Sequence, residues 1–121
     1  MTATEFIQRV KTAVREDVVA AELRMCRTPV VPHQVPELAE IAGWFQRLPE
    51  QDQKMVEAVI RLVADQSVWK FLHLLGNRLP ADAGGGELDI SHVRDGVRVR
   101  LNPPNEESLD DLWDATVQMW E

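Results

Sequence analysis

The pair Asp95-Gly96 stands between two short runs in which apolar and polar residues alternate. Asp-Gly is a strong signal for a two-residue turn between antiparallel strands, because both positions tolerate positive φ. The alternation on each side has a period of two, which is typical of a strand with one buried side. The sequence therefore predicts a β-hairpin over about 87–102. Its register pairs Ser91 with Arg100, His92 with Val99, Val93 with Arg98, and Arg94 with Val97.

Most of the remaining chain has helical periodicity. Thr2 and Glu5 have the spacing of a capping box at the start of the first helix. Asn105 is the expected cap of the last one. Asp65 is able to cap a second helix within 50–76, so the pattern leaves open whether that segment is one helix or two. The periodicity predicts helices over about 3–26, 37–47, 50–76 and 106–120.

Together these elements predict an α+β fold that is mostly helical, with four or five helices and one antiparallel β-hairpin packed on the bundle. An isolated hairpin is marginal in water, so its apolar side is expected to lie on the helices. The chain has 121 residues, and 45% of them are hydrophobic, which suffices for a buried core. The sequence thus predicts a single globular domain over 1–121.

Cysteine content and the lengths of the apolar segments indicate the expected environment. Cys26 is the only cysteine, so no internal disulfide can form, and a buried thiol in a reducing compartment is expected. The sequence does not open with a charged segment followed by an apolar run, and its apolar stretches are shorter than a membrane span. We therefore expect a cytoplasmic protein that does not contact a membrane.

The net charge of −7 is concentrated in the last sixteen residues, which carry six acidic groups and no Lys or Arg. A helix over 106–120 would place Glu107, Asp110, Asp111 and Asp114 on one solvated side, opposite an apolar stripe. Such a surface repels nucleic acids and attracts basic proteins. These four carboxylates are therefore the candidate binding residues for a basic protein partner, and direct binding of nucleic acid is not expected.

Two of the four tryptophans are candidate anchors for a protein interface. Trp44 stands beside Phe45, off the regular apolar stripe of its helix, and Trp120 is one residue from the end of the sequence. Tryptophan is among the residues that contribute most to binding at protein interfaces. The sequence predicts that Trp44 and Trp120 contact the partner, and that Trp69 and Trp113 belong to the core.

The motif content does not define a catalytic or metal site. His33, His73 and His92 stand far apart, and neither H-E-x-x-H nor C-x-x-C occurs. The three glycines at 84–86 lack the Lys-Ser/Thr end of a phosphate-binding loop. The sequence therefore predicts no catalytic residue, no metal and no cofactor.

The function that these features favour is a non-enzymatic protein–protein interaction. In size, acidity and lack of a catalytic motif, the chain resembles in type the small bacterial immunity or inhibitor proteins, which neutralise a basic toxin or nuclease. The alternative is a structural subunit or adaptor that forms a homodimer through the hairpin or through exposed helix faces. A third hypothesis is a small enzyme with a dispersed site, in which His73 or His92 pairs with a carboxylate.

Overall fold

The computed structural model describes residues 1–76 and 81–117 and has the predicted, mostly helical α+β architecture. Its elements are α1 Ala3–Val10, a π-helical turn Lys11–Glu16, α2 Asp17–Arg27, α3 Pro36–Arg47, α4 Glu50–Gly76, a 3₁₀ turn Ala81–Ala83, β1 Ser91–Arg94, β2 Val97–Arg100 and α5 Leu109–Val117. α1, the π-helical turn and α2 are continuous, so we refer to them together as the N-terminal helix. In the described part of the chain, four helices thus accompany one two-stranded antiparallel sheet.

The N-terminal helix begins with the predicted capping box. The hydroxyl of Thr2 accepts from the N–H of Glu5 at 3.1 Å, and the Glu5 carboxylate accepts from the N–H of Thr2 at 3.3 Å. The sequence pattern does not predict the π-helical turn, after which the buried side of the helix shifts by one position: Val18 is 45% exposed, whereas Val19 is buried. This turn carries Arg15, whose Nε donates to Oδ1 of Asp65 in α4 at 2.7 Å. This ion pair is mostly shielded from solvent and connects the middle of the N-terminal helix to α4.

The sequence pattern does not decide whether residues 50–76 form one helix or two. In the structure they form a single helix of 27 residues, α4. No proline or glycine interrupts it before Gly76. Asp65 lies buried in its interior, where both carboxylate oxygens accept from Arg15 and so do not compete for backbone N–H groups. Neither α4 nor any other described helix is both long and apolar enough to span a lipid bilayer.

β1 and β2 form the hairpin with all four predicted residue pairs. Asp95 and Gly96 have φ of 52° and 79°, as the two-residue turn requires. The sequence predicts that the whole apolar side of the hairpin lies on the helices. This prediction is wrong at the tip of the hairpin, where Val97 is 63% exposed. The chain becomes buried at the base of the hairpin, at Leu101. Turn and alternation fix the register locally, so the hairpin forms although its tip projects from the helices.

Asn102 fastens the base of the hairpin to α4. Its Nδ2 donates to the carbonyls of Leu75 and Leu88, both at 2.7 Å. Its Oδ1 accepts from the N–H of Ile90 at 2.9 Å and from Nε of Arg100 at 3.2 Å. The buried amide therefore uses its donors and its acceptor to join the ends of the hairpin to the last turn of α4.

The last helix, α5, begins at Leu109 rather than at the predicted residue 106. The predicted cap Asn105 is not used, because residues 103–106 form a turn of their own. Ser108 serves instead, since its hydroxyl accepts from the N–H of Asp111 at 3.4 Å. The predicted end of this helix at 120 lies outside the described residues.

Two groups of buried side chains hold the helices together. One joins the N-terminal helix, α4 and α5, and the other lies where α2 packs against α3. Cys26 belongs to the second group and is buried, as predicted. Burial raises the pKa of its thiol, which keeps it protonated. The first group contains Ile7, Leu72, Leu109 and Trp113, and the second contains Val19, Leu23, Cys26, Ala42 and Phe45.

Candidate functional site

The four carboxylates predicted to form one solvated side of the last helix lie in different environments. Glu107 precedes α5 and is exposed, and Asp111 is exposed on its first turn. Asp110 is only 6% exposed, so the prediction that it faces solvent is wrong. Asp114 is half-buried, and its Oδ2 accepts from Nε1 of Trp69 at 3.2 Å. The physical reason is that α4 offers hydrogen-bond donors to two of these carboxylates, which a pattern within one helix cannot show.

His73 of α4 and Asp110 of α5 form a hydrogen bond of 2.9 Å between Nδ1 and Oδ2. Burial raises the pKa of Asp110, but hydrogen bonds from His73 and Ser108 outweigh it and hold this pKa below its ordinary value. The ionised carboxylate can only accept, so Nδ1 of His73 is the donor. The His73 ring stacks on the Trp69 indole, with 5.0 Å between the ring centroids. These contacts hold α5 onto the last turns of α4.

The His73–Asp110 pair is the kind of contact that the enzyme hypothesis requires. A carboxylate orients an imidazole in this way in acid–base sites. His92 has a different neighbour, since its Nδ1 lies 3.5 Å from the N-terminal amino group. Among residues 1–76 and 81–117, no group of three His, Cys, Asp or Glu residues could hold a metal ion. The His73 side chain is 48% exposed, so the pair lies at the surface where α4 packs against α5, and the enzyme hypothesis stays a prediction.

A second candidate site is an apolar surface that α4 presents to solvent. Six apolar side chains of α4 are about half exposed or more, and four of them, from 49% for Leu62 to 65% for Met55, lie together between positions 55 and 63. Exposed apolar side chains of α3 and of the N-terminal helix lie beside them. We call this surface the α4 face. It consists of Met55, Val59, Leu62 and Val63 of α4, Trp44 of α3, and Val14 and Val18 of the N-terminal helix.

Two grooves give the α4 face its shape. A groove of about 400 Å³ lies between the N-terminal helix and α4, with Val18 and Val63 among its lining residues. Another of about 470 Å³ lies between α3 and α4, with Trp44 in its wall. Val59 and Ile60 line both grooves, which therefore join into one surface. Continuous apolar surfaces of this kind on globular proteins mark interaction sites.

Of the two predicted aromatic anchors, Trp44 is on this surface and is 47% exposed. Its contact with a partner stays a prediction. Trp120 lies outside the described residues. Trp113 is fully buried in the core, as predicted, and Trp69 is half-buried between α4 and α5.

Sequence reasoning missed the α4 face, although a signal for it exists. α4 carries apolar residues on opposite sides, with Met55 and Val59 on one and Leu72 and Leu75 on the other. A helix that is apolar all round is normally enclosed on all sides. In the single chain, the N-terminal helix and α5 pack against α4 and leave the side of Met55 and Val59 uncovered.

A third groove, of about 740 Å³, lies between α2 and α4, and half of its ten lining residues are charged. In it, Glu57 of α4 accepts from Arg61 at 2.9 Å and from Arg27 of α2 at 3.3 Å. The hydrogen bond from Arg61 lowers the pKa of Glu57. One ion pair, between Arg27 of α2 and Glu57 of α4, therefore joins the two walls of this groove.

No protein-family model, curated protein or solved structure matches this chain. Its function is therefore inferred from the geometry of the described residues alone.

Proposed function

We propose that this chain is a non-enzymatic interaction protein that works in a protein assembly, with the α4 face as its contact surface. The observation that carries the proposal is one continuous apolar surface over three helices. Eighteen large apolar side chains are exposed in the described residues, whereas ten apolar side chains are buried. Apolar area removed from water contributes about 25 cal/mol per Å², so covering the α4 face would favour association.

The C-terminal segment offers fewer carboxylates to a basic partner than the sequence predicts. Asp110 and Asp114 are already engaged by side chains of α4. Glu106, Glu107 and Asp111 remain exposed. An inhibitor-type function directed at a basic partner would depend on these three carboxylates, and it stays a prediction.

Replacing Val59 by lysine tests the contact surface, because Val59 lines both grooves and is 52% exposed. In extracts of its native cells, the wild-type chain is expected to elute in an assembly larger than its own 13.8 kDa. Val59→Lys is expected to elute as a single chain, because a lysine in the grooves opposes burial of the surface. Size-exclusion chromatography with antibody detection measures this, and the melting temperature should hardly change, since exposed substitutions cost within about 0.5 kcal/mol.

Val97→Lys is the matched control, because it makes the same change at the exposed tip of the hairpin. It should leave the assembly intact. An assembly that persists in Val59→Lys, or a wild-type chain that elutes alone, contradicts the proposed contact surface.

A further inference from the structure

We infer that the partner on the α4 face is a second copy of this chain, bound so that the two α4 helices run antiparallel. The inference rests on the proposed interaction function and names its partner. Its basis is that residues of opposite charge flank the exposed apolar residues Met55–Val63 of α4, with Asp52 three positions before Met55 and Lys70 seven positions after Val63. A surface with this pattern is complementary to itself under a two-fold rotation.

Asp52 and Lys70 lie on the same side of α4 as Met55, Val59 and Val63. They are eighteen residues apart, which is five turns of an α-helix and about 27 Å along its axis. Met55, Val59 and Leu62 follow Asp52 at steps of three, four and three residues, so they share that side. Both charged residues are exposed, and within the described ranges neither forms an ion pair.

An antiparallel pair places Asp52 of each copy against Lys70 of the other, which gives two equal ion pairs. The same rotation sets Val59 against Val63 of the second copy and brings Leu62 near its own symmetry mate. In a parallel pair, like charges would face each other at both ends of the stripe, which opposes association. In the antiparallel arrangement the two helix dipoles also point in opposite directions, which favours association. It therefore matches both the charges and the apolar pattern.

The surface that one chain exposes is large for its mass. A folded monomer of 13.8 kDa exposes about 6,600 Å², whereas this chain exposes 8423 Å². This excess of about 1,800 Å² belongs to all 121 residues together, and each partner in an interface of standard size buries roughly 800 Å². The exposed surface of one chain is thus large enough to include an interface with a second copy.

Sedimentation equilibrium of the purified full chain at rising concentration tests this arrangement. The wild-type chain is expected to reach twice 13.8 kDa. Asp52→Lys and Lys70→Asp each replace two attractive contacts per dimer by repulsive ones. At low salt, each is expected to raise the dimer dissociation constant about ten-fold.

An equimolar mixture of these two variants is the most informative sample. In a mixed dimer every charged contact again joins a lysine to an aspartate, so the mixture should associate about as tightly as the wild type. Circular dichroism melts show whether each variant is folded. Asp111→Lys, which reverses an exposed first-turn carboxylate of α5, is the matched control and should leave the dissociation constant unchanged.

A wild-type chain that stays at 13.8 kDa at every concentration overturns the second-copy inference. A dimer that neither reversal weakens also overturns it, as does a mixture that fails to recover association. If the purified chain is monomeric while cell extracts contain an assembly that depends on Val59, the partner is another protein and the proposed interaction function stands. If that assembly is insensitive to Val59→Lys, the proposed function fails as well.

Discussion

Replacing Trp113 by alanine is expected to lower the free energy of unfolding by about 3–5 kcal/mol. Its side chain is fully buried and packs with Ile7, Leu72 and Leu109. The loss combines the transfer free energy of the indole with a cavity between the N-terminal helix, α4 and α5. Domains are stable by only about 5–15 kcal/mol, so urea unfolding followed by circular dichroism should show a much lower midpoint.

Trp44→Ala is the control, because it removes the same side chain from the exposed α4 face. We expect it to cost less than about 1 kcal/mol of stability, while weakening the assembly in cell extracts. If Trp44→Ala destabilises the fold as much as Trp113→Ala does, the division between core and contact surface is wrong.

Asn102→Asp is expected to lower the free energy of unfolding by about 3 kcal/mol, although the side chains are nearly equal in size. In the wild-type chain, Nδ2 of Asn102 lies 2.7 Å from the carbonyl oxygens of Leu75 and Leu88. The substitution removes both N–H donors and places a carboxylate oxygen at that position. The carbonyl of Leu75 would lose the Asn102 donor, that of Leu88 would keep only Nη2 of Arg100 at 3.3 Å, and the new charge would face both carbonyls. Urea unfolding at neutral pH measures the effect, and protonation of the new carboxyl at acidic pH should reduce it.

Asn105→Asp is the matched control, since Asn105 is exposed in the turn before α5. Its effect should stay within about 0.5 kcal/mol. A loss below about 1 kcal/mol for Asn102→Asp would contradict the role of Asn102 as the link between the hairpin and α4.

The sequence predicts best what is determined over a few residues. The hairpin register follows from Asp95-Gly96 and from the alternation beside it, and all four predicted pairs occur. The start of the N-terminal helix follows from Thr2 and Glu5, which lie within one turn. In both cases the interacting groups are close in sequence, so a local pattern contains the information.

Contacts between distant segments explain what the sequence did not predict. Asp110 belongs by spacing to a solvated acidic side, yet His73, 37 positions earlier, buries and binds it. Asp65 has the character of a helix cap, but Arg15, 50 positions earlier, holds it inside α4. A pattern within one helix does not record which neighbour will supply a donor.

The α4 face was missed for a related reason. The spacing of Met55, Val59 and Val63 establishes an amphipathic helix, but it does not say which of two apolar sides the other helices cover. The paths of the N-terminal helix and of α5 decide this, and they leave the α4 face in solvent. The candidate contact surface therefore became visible only in the folded chain.

Hydroxyl-radical footprinting of Met55 in its native cells tests most directly whether the α4 face is covered where the protein works. Met55 is 65% exposed in the single chain, and His33, exposed in the connector between α2 and α3, provides the internal reference. We predict that Met55 oxidises several-fold more slowly relative to His33 in cells than in the dilute purified protein. Equal relative rates in the two samples would mean that solvent reaches the α4 face in the cell and would contradict its role as a contact surface.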